Sequence, residues 1–120
     1  MTDSRAEPTV FERIVAREIP ARIVAETEHV IAFHDIAPQA PVHVVVTTKT
    51  GDYRDVVELA AGDPALLAEL VGVANDVAGD LADGEFRLVF NTGASAGQTV
   101  FHVHAHVLAG GLEEGTLAGA

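Results

Sequence analysis

The chain has no cysteine, no tryptophan and a single lysine, Lys49. Without cysteine there is no disulfide scaffold and no thiolate-ligated zinc or iron–sulfur site. The lone lysine stands outside any GxxxxGK[ST] pattern, so there is no P-loop. Positive charge is scarce altogether. Seven Lys and Arg face eighteen Asp and Glu, a formal net charge of −11. That balance argues against a duplex nucleic-acid binder, whose affinity rests on many cationic phosphate contacts. It leaves room for a small phosphorylated ligand, because exposed charges are screened beyond about 8 Å at physiological salt and local donors decide. Long apolar runs are also missing, and none reaches the ~18 residues of a membrane span. The N-terminal stretch MTDSRAEPTVFER carries no apolar run after its charges, so no signal peptide is expected. These absences lead to the expectation of a cytoplasmic protein with neither nucleic acid nor membrane as partner.

What is present suits a globular protein. The 120 residues are 48% hydrophobic and 21% charged. A chain of this size can bury roughly two-thirds of its unfolded surface. We expect one domain over residues 1–120, with a structured core at about 9–111 and a Gly-rich tail at 112–120. Thr9 and Glu12 fit a capping box, and Phe11, Ile14 and Val15 form one face of a short helix that Pro20 should close. Arg22–Glu26 and His29–His34 read as a β-hairpin across Thr27–Glu28. Val42–Thr48 reads as a third strand, with His43, Val45 and Thr47 on one face. Gly51–Val57 reads as a connector. Asp63 then caps a long helix with Pro64 at its first position. Its apolar stripe is Leu67, Leu70, Val71, Ala74, Val77, Ala78 and Leu81. Phe86–Phe90 and Thr99–Leu108 supply two more strands. Helices and strands do not alternate strictly, so the expected class is α+β, with a five-stranded, mostly antiparallel sheet.

Three of the six histidines are His102, His104 and His106. On a strand the side-chain period is two, so all three should project from one face while Val103, Ala105 and Val107 enter the core. Such a polar surface needs hydrogen-bond partners that the fold alone does not call for. Two chemistries compete. The trio could hold Zn²⁺ with an open position, or one imidazole could act as a nucleophile while the others orient it and bind an oxyanion. The preceding loop, from Asn91 through Gly97 and Gln98 to Thr99, is small and flexible, and its backbone N–H groups can approach a phosphate closely. Loop and histidines together describe a phosphate site better than a metal site.

These residues match a family. His102-Val-His104-Ala-His106-Val107-Leu108 fits His-φ-His-φ-His-φ-φ, with φ apolar. Phe33-His34-Asp35-Ile36-Ala37-Pro38-Gln39-Ala40-Pro41-Val42-His43 and the stretch from Asn91 to His102 flank it. Both stretches resemble the Hint branch of the histidine triad (HIT) nucleotide-binding proteins, as does the helix from Phe11 to Pro20. The resemblance spans about Phe11 to Gly111. It implies a HIT-like fold and a homodimer whose two sheets join into one. It implies a purine nucleoside 5′-monophosphate pocket and hydrolysis of a phosphoramidate or related bond at the α-phosphorus, with no metal and no cofactor. His104 would be the nucleophile that forms a nucleotidyl-histidine. His102 and His106 would bind or polarise the phosphate and orient His104, and His43 would support the cluster. Gly97, Gln98, Thr99 and Val100 would form the phosphate loop, with Asn91 beside it. Thr99 stands where a serine is common in Hint proteins and would assist the leaving group. Asp35 would take the ribose hydroxyls, and Phe11, Ile14, Phe33 and Ile36 would line the base and sugar pocket. The same four apolar residues also suit plain core, and Asp35 also suits a turn.

The chain departs from the pattern in two places. Thr47–Gly51 lacks the Pro-Lys and further His of many members. The tail, Gly110 to Ala120, lacks the Arg and Trp that reach the partner subunit in Hint proteins, and carries Glu113 and Glu114 instead. If they lie near the site, these carboxylates would repel an anionic leaving group and suit a cationic amine. His106 at the third triad position, rather than Gln, argues against the nucleotidyltransferase branch, and the surroundings of the triad lack the features of the dinucleoside polyphosphate hydrolases.

Overall fold

Thr9 caps the first helix as its sequence predicts. Its hydroxyl accepts from the Glu12 N–H, and the Glu12 carboxylate accepts from the Thr9 N–H. In the computed structural model, which describes residues 7–115, this helix, α1, runs Val10–Val15. It ends earlier than Pro20 requires. Arg17 adopts a left-handed φ of 63° and returns its N–H to the Ile14 carbonyl, which closes the helix. The tail beyond Gly115 lies outside the described residues, as do Met1–Ala6.

The hairpin forms as β1, Ile23–Glu26, against β2, Val30–His34, and the third strand, β3, spans Val42–Thr48. After β3 the expected connector ends two residues early, in a helix that was not expected, α2 at Val56–Gly62. Its cap was available in the sequence. Asp55 accepts from the Glu58 N–H, Glu58 accepts from the Arg54 N–H, and Leu59 is buried beneath them. Asp63 ends α2 and caps α3, Pro64–Ala82, by accepting from the Leu66 N–H. Pro64 has no N–H to continue α2, so the two helices are separated by one residue. β4, Arg87–Val89, and β5, His104–Ala109, complete an antiparallel sheet in the order β1-β2-β3-β5-β4.

β5 is shorter than expected. Residues 99–103 do not join the ladder. The Val103 N–H bonds to the Tyr53 carbonyl, and the Val103 carbonyl accepts from the Thr47 hydroxyl, so its backbone is diverted from strand pairing. His104 and His106 therefore sit on the strand, and His102 just before it.

Three layers result. α3 covers one face of the sheet and buries Leu66, Leu70, Val73, Ala74, Val77 and Ala78 against Val30, Ala32, Val44, Val46, Ala105 and Val107. Each fully buried Leu or Val among them contributes about 1.5–3 kcal/mol relative to exposure. The buried stripe is rotated from the expected one. Leu66 and Val73 are inside, while Val71 and Leu81 are exposed. On the opposite face α1 lays Phe11 and Ile14 over Ile31, Phe33 and Val45. Among the described residues no helix is long and apolar enough to cross a membrane.

Candidate active site

The face under α1 gathers the histidines. Strand register places Thr47 opposite His104 and Val45 opposite His106, so the parity that carries Val45 and Thr47 also carries both histidines and His43. The Phe11 ring meets His104 and His102 edge-on, with centroids 4.8 and 5.4 Å apart. The His104 and His106 rings lie 5.2 Å apart, and those of His106 and His43 5.1 Å apart.

The hydrogen bonds around these rings assign their protons. A carbonyl or carboxylate only accepts, and a backbone N–H only donates. His104 Nδ1 lies 2.8 Å from the His102 carbonyl, so Nδ1 carries the hydrogen and Nε2 the lone pair. His43 Nδ1 accepts from the Gln39 N–H at 2.9 Å, so in the neutral ring Nε2 carries the hydrogen. That Nε2–H faces His106 Nδ1 at 2.9 Å and the Asp35 carboxylate at 3.4 Å. His106 Nδ1 is thereby an acceptor, and its hydrogen sits on Nε2. One backbone carbonyl thus leaves His104 its lone pair on Nε2, and one backbone N–H, acting through His43, leaves His106 its hydrogen on Nε2.

Electrostatics keep these rings neutral at pH 7. Burial pushes His104 below the ordinary histidine value, against the opposing pull of the His102 carbonyl and the Asp35 carboxylate. Burial, and then the neighbouring His104 and His43, push His106 down to about 4. Burial also lowers His43, opposed by Asp35.

Two cavities meet at the pair His104 and His106. The first, about 350 Å³, is apolar and is lined by Phe11, Ile14, Phe33, Asp35, Ile36, Thr99 and Val100, among others. The second, about 340 Å³, is more polar and is lined by Gln39, His43, Asn91, Gly97 and Thr99 beside the same two histidines. Twelve of the fourteen residues singled out in the sequence line one or the other. Ile36 does so from the rim, where its side chain is fully exposed, so it is not core. Asp35 combines a turn with its place in the cavity: Oδ1 accepts from the Ala37 N–H at 2.8 Å, and Oδ2 faces His43.

The two others, Gln98 and His102, line neither cavity. The Gln98 side chain is buried in its own loop. Its oxygen accepts from the Gly93 N–H, and its NH₂ donates to the Arg54 and Val100 carbonyls. Gly93 and Gly97, with φ of 93° and 98°, make the sharp turns that bring the loop back beneath the histidines. His102 is completely buried. Its Nε2–H donates to the Thr48 carbonyl at 2.6 Å, and Nδ1 pairs with the Thr9 hydroxyl at 2.6 Å. Sequence reasoning missed Thr9, Thr48 and the Gln39 backbone as partners of the histidines. A capping threonine and a loop amide carry no local signal that their second partner lies far along the chain.

A metal is the competing use of such residues. Asp35, His43 and His106 each offer a ligand atom, all within 4.8 Å of one another. A neutral imidazole has one lone pair, however, and the Gln39 N–H occupies that of His43. The His43 atom facing the group is a donor, so the trio is built as a hydrogen-bond chain and not as a ligand set.

Comparison with known proteins agrees with this geometry. The HIT domain model matches residues 16–111. An uncharacterized HIT-like protein of Synechocystis sp. is 50% identical over 109 residues, which cover 88% of this chain and 92% of that one. A HIT family hydrolase from Clostridium thermocellum has the same fold, with a TM-score of 0.81 at 44% identity over 88% of this chain and 93% of that one. A histidine triad nucleotide-binding protein from Candida albicans gives a TM-score of 0.75 at 25% identity, over 83% and 73% of the two chains. With the family's domain matched over most of its length, and with that fold around its alternating histidines, this chain belongs to the HIT family.

Proposed function

We propose that this protein is a nucleotide-binding hydrolase that cleaves purine nucleoside 5′-phosphoramidates, or a related bond at the α-phosphorus, through a covalent nucleotidyl-His104. The observation that carries this reading is the His104 tautomer. Its Nδ1–H is held by the His102 carbonyl, so the Nε2 lone pair is left for attack at the seam of the two cavities. The names of two relatives, a hydrolase and a nucleotide-binding protein, point the same way.

The base and sugar occupy the apolar cavity against Phe11, Ile14 and Phe33, with the ribose hydroxyls on Asp35. The phosphate lies over His104 and His106 beside Gly97, Thr99 and Val100, and the leaving amine enters the polar cavity near Asn91. His104 Nε2 attacks phosphorus and forms an N–P bond as the bond to the amine breaks. The amine departs with the bonding pair and takes a proton relayed from solvent through the Thr99 hydroxyl, which lines both cavities, and the water of the second step returns that proton to solvent. His106 Nε2–H stabilises the charge that builds on the phosphate oxygen. Water then attacks phosphorus and displaces His104 as a neutral imidazole, still holding its Nδ1–H. The sum is phosphoramidate plus water giving nucleoside monophosphate plus amine. His102 acts within this scheme by orienting His104, since its own ring is enclosed, and Gln98 acts by bracing the phosphate loop.

The active form we propose is a homodimer. β4 lies at an edge of the sheet, and α2 and α3 expose Val57, Val71 and Leu81, which a second copy would cover. The test of the activity is AMP release from adenosine 5′-monophosphoramidate by the purified protein with EDTA present. Sustained release is the expected result. AMP binding without release would overturn the hydrolase and leave a binding module, and release abolished by EDTA would overturn the metal-free mechanism.

A further inference from the structure

The family match begins at residue 16, just beyond α1. Yet α1 reaches the reacting centre twice. Phe11 packs edge-on against His102 and His104 and lines the apolar cavity. Thr9, at the helix cap, places its hydroxyl 2.6 Å from His102 Nδ1. His102 has no exposed surface, so solvent does not replace that contact without a rearrangement. The other nitrogen of the ring is tied to the Thr48 carbonyl. With both nitrogens held, the imidazole is fixed between α1 and the end of β3. The backbone of that same residue carries the carbonyl that holds His104 Nδ1–H and leaves Nε2 as the lone pair.

We infer that Thr9 is a positioning residue for the nucleophile: through the buried ring of His102 its hydroxyl fixes the carbonyl that sets the tautomer and aim of His104, so that the N-terminal helix is part of the catalytic apparatus and not only a wall of the base pocket. The inference rests on His104 being the nucleophile. Thr9 has two jobs, the helix cap and the bond to His102, and two substitutions separate them. Thr9→Gly removes the hydroxyl while keeping a residue well tolerated at a helix cap. Thr9→Ser keeps both functions.

With adenosine 5′-monophosphoramidate as substrate, Thr9→Gly should lower kcat by about 10²-fold, the cost of a misplaced reacting group, while KM stays near that of the unaltered protein. Thr9→Ser should restore kcat. A Thr9→Gly variant with unaltered kcat, or a Thr9→Ser variant as impaired as Thr9→Gly, would overturn the inference. A second readout needs no turnover. Nitrogen-15 NMR of labelled histidines in the ligand-free protein should show His104 as the Nδ1–H tautomer, and Thr9→Gly should convert it to a mixture. Identical tautomers in the two proteins would overturn the role of Thr9 even if the substrate assignment failed, and a tautomer shift in a protein that releases no AMP would place the failure in the substrate assignment alone.

Discussion

On the α3 side of the sheet, Val30, Ala32, Val44, Val46, Ala105 and Val107 meet Leu66, Leu70 and Val77, and every one is buried and apolar. On the α1 side, Phe11, Ile14, Phe33 and Val45 share the surface with His43, His104 and His106, and open cavities replace close packing. The same strands supply both sides by alternation: Val44 and Val46 face one way, His43 and Val45 the other. One face can therefore be optimised for packing while the other keeps strongly interacting polar groups. Those groups are affordable because each imidazole nitrogen that faces protein has a partner of defined polarity. A change on the first face should be read in stability, and a change on the second in protonation and turnover.

The sharpest way to break this division is Leu70→Ala. Leu70 has no exposed surface and lies in the α3 layer. Its truncation should cost about 2–5 kcal/mol of stability through lost burial and a residual cavity. Urea unfolding should show that loss, while kcat at a temperature where the variant stays folded should match the unaltered protein. A large kcat loss in a folded Leu70→Ala protein would mean that the two faces are mechanically coupled.

A smaller effect should come from acid. His43, His104 and His106 have folded-state pKa values below the ordinary 6.5, with His106 at about 4. As pH falls below 6.5 the unfolded chain binds protons that the folded chain refuses. Stability is therefore fully present above that value and declines through the window from about 6.5 to about 4. The carboxylates of Glu26, lowered chiefly by Lys49 and then Arg17, and of Glu69, lowered chiefly by Thr27, lose their contributions only below the ordinary 4.5. Thermal denaturation between pH 7 and 5 should thus report on the histidine face. Tm should fall with pH, and His106→Asn should flatten the slope. An unchanged slope would deny that burial sets the charge of His106.

Much of this was legible beforehand because it is local. Thr9 with Glu12 and Asp63 with Pro64 announce helix starts through groups a few residues apart, and the alternation of Val42–Thr48 announces a strand with two faces. Twelve of the residues lining the two cavities also followed from the resemblance that the motif and its flanks carry, while others, such as Gln39, Ile19 and His34, did not. What was illegible depends on partners distant in the chain. β5 begins only at His104 because Val103 bonds to Tyr53 and Thr47. His102 is enclosed because Thr9 and Thr48 close over it. The rotation of the α3 stripe, which buries Val73 and exposes Val71, is set by how the helix lies on the sheet. α2 is different. Asp55 and Glu58 carried its signal, and the segment was too short for apolar periodicity to reinforce it.

The central claim is that His104 Nε2 forms a bond to phosphorus, and the most direct measurement is to look for that bond. Rapid acid-free quenching of the protein with adenosine 5′-monophosphoramidate, followed by proteolysis and mass spectrometry, should find one adenylyl group on the peptide that contains His104. The adduct should be absent from His104→Ala. Steady AMP release with no adduct at any quench time, or an adduct that persists in His104→Ala, would contradict the account.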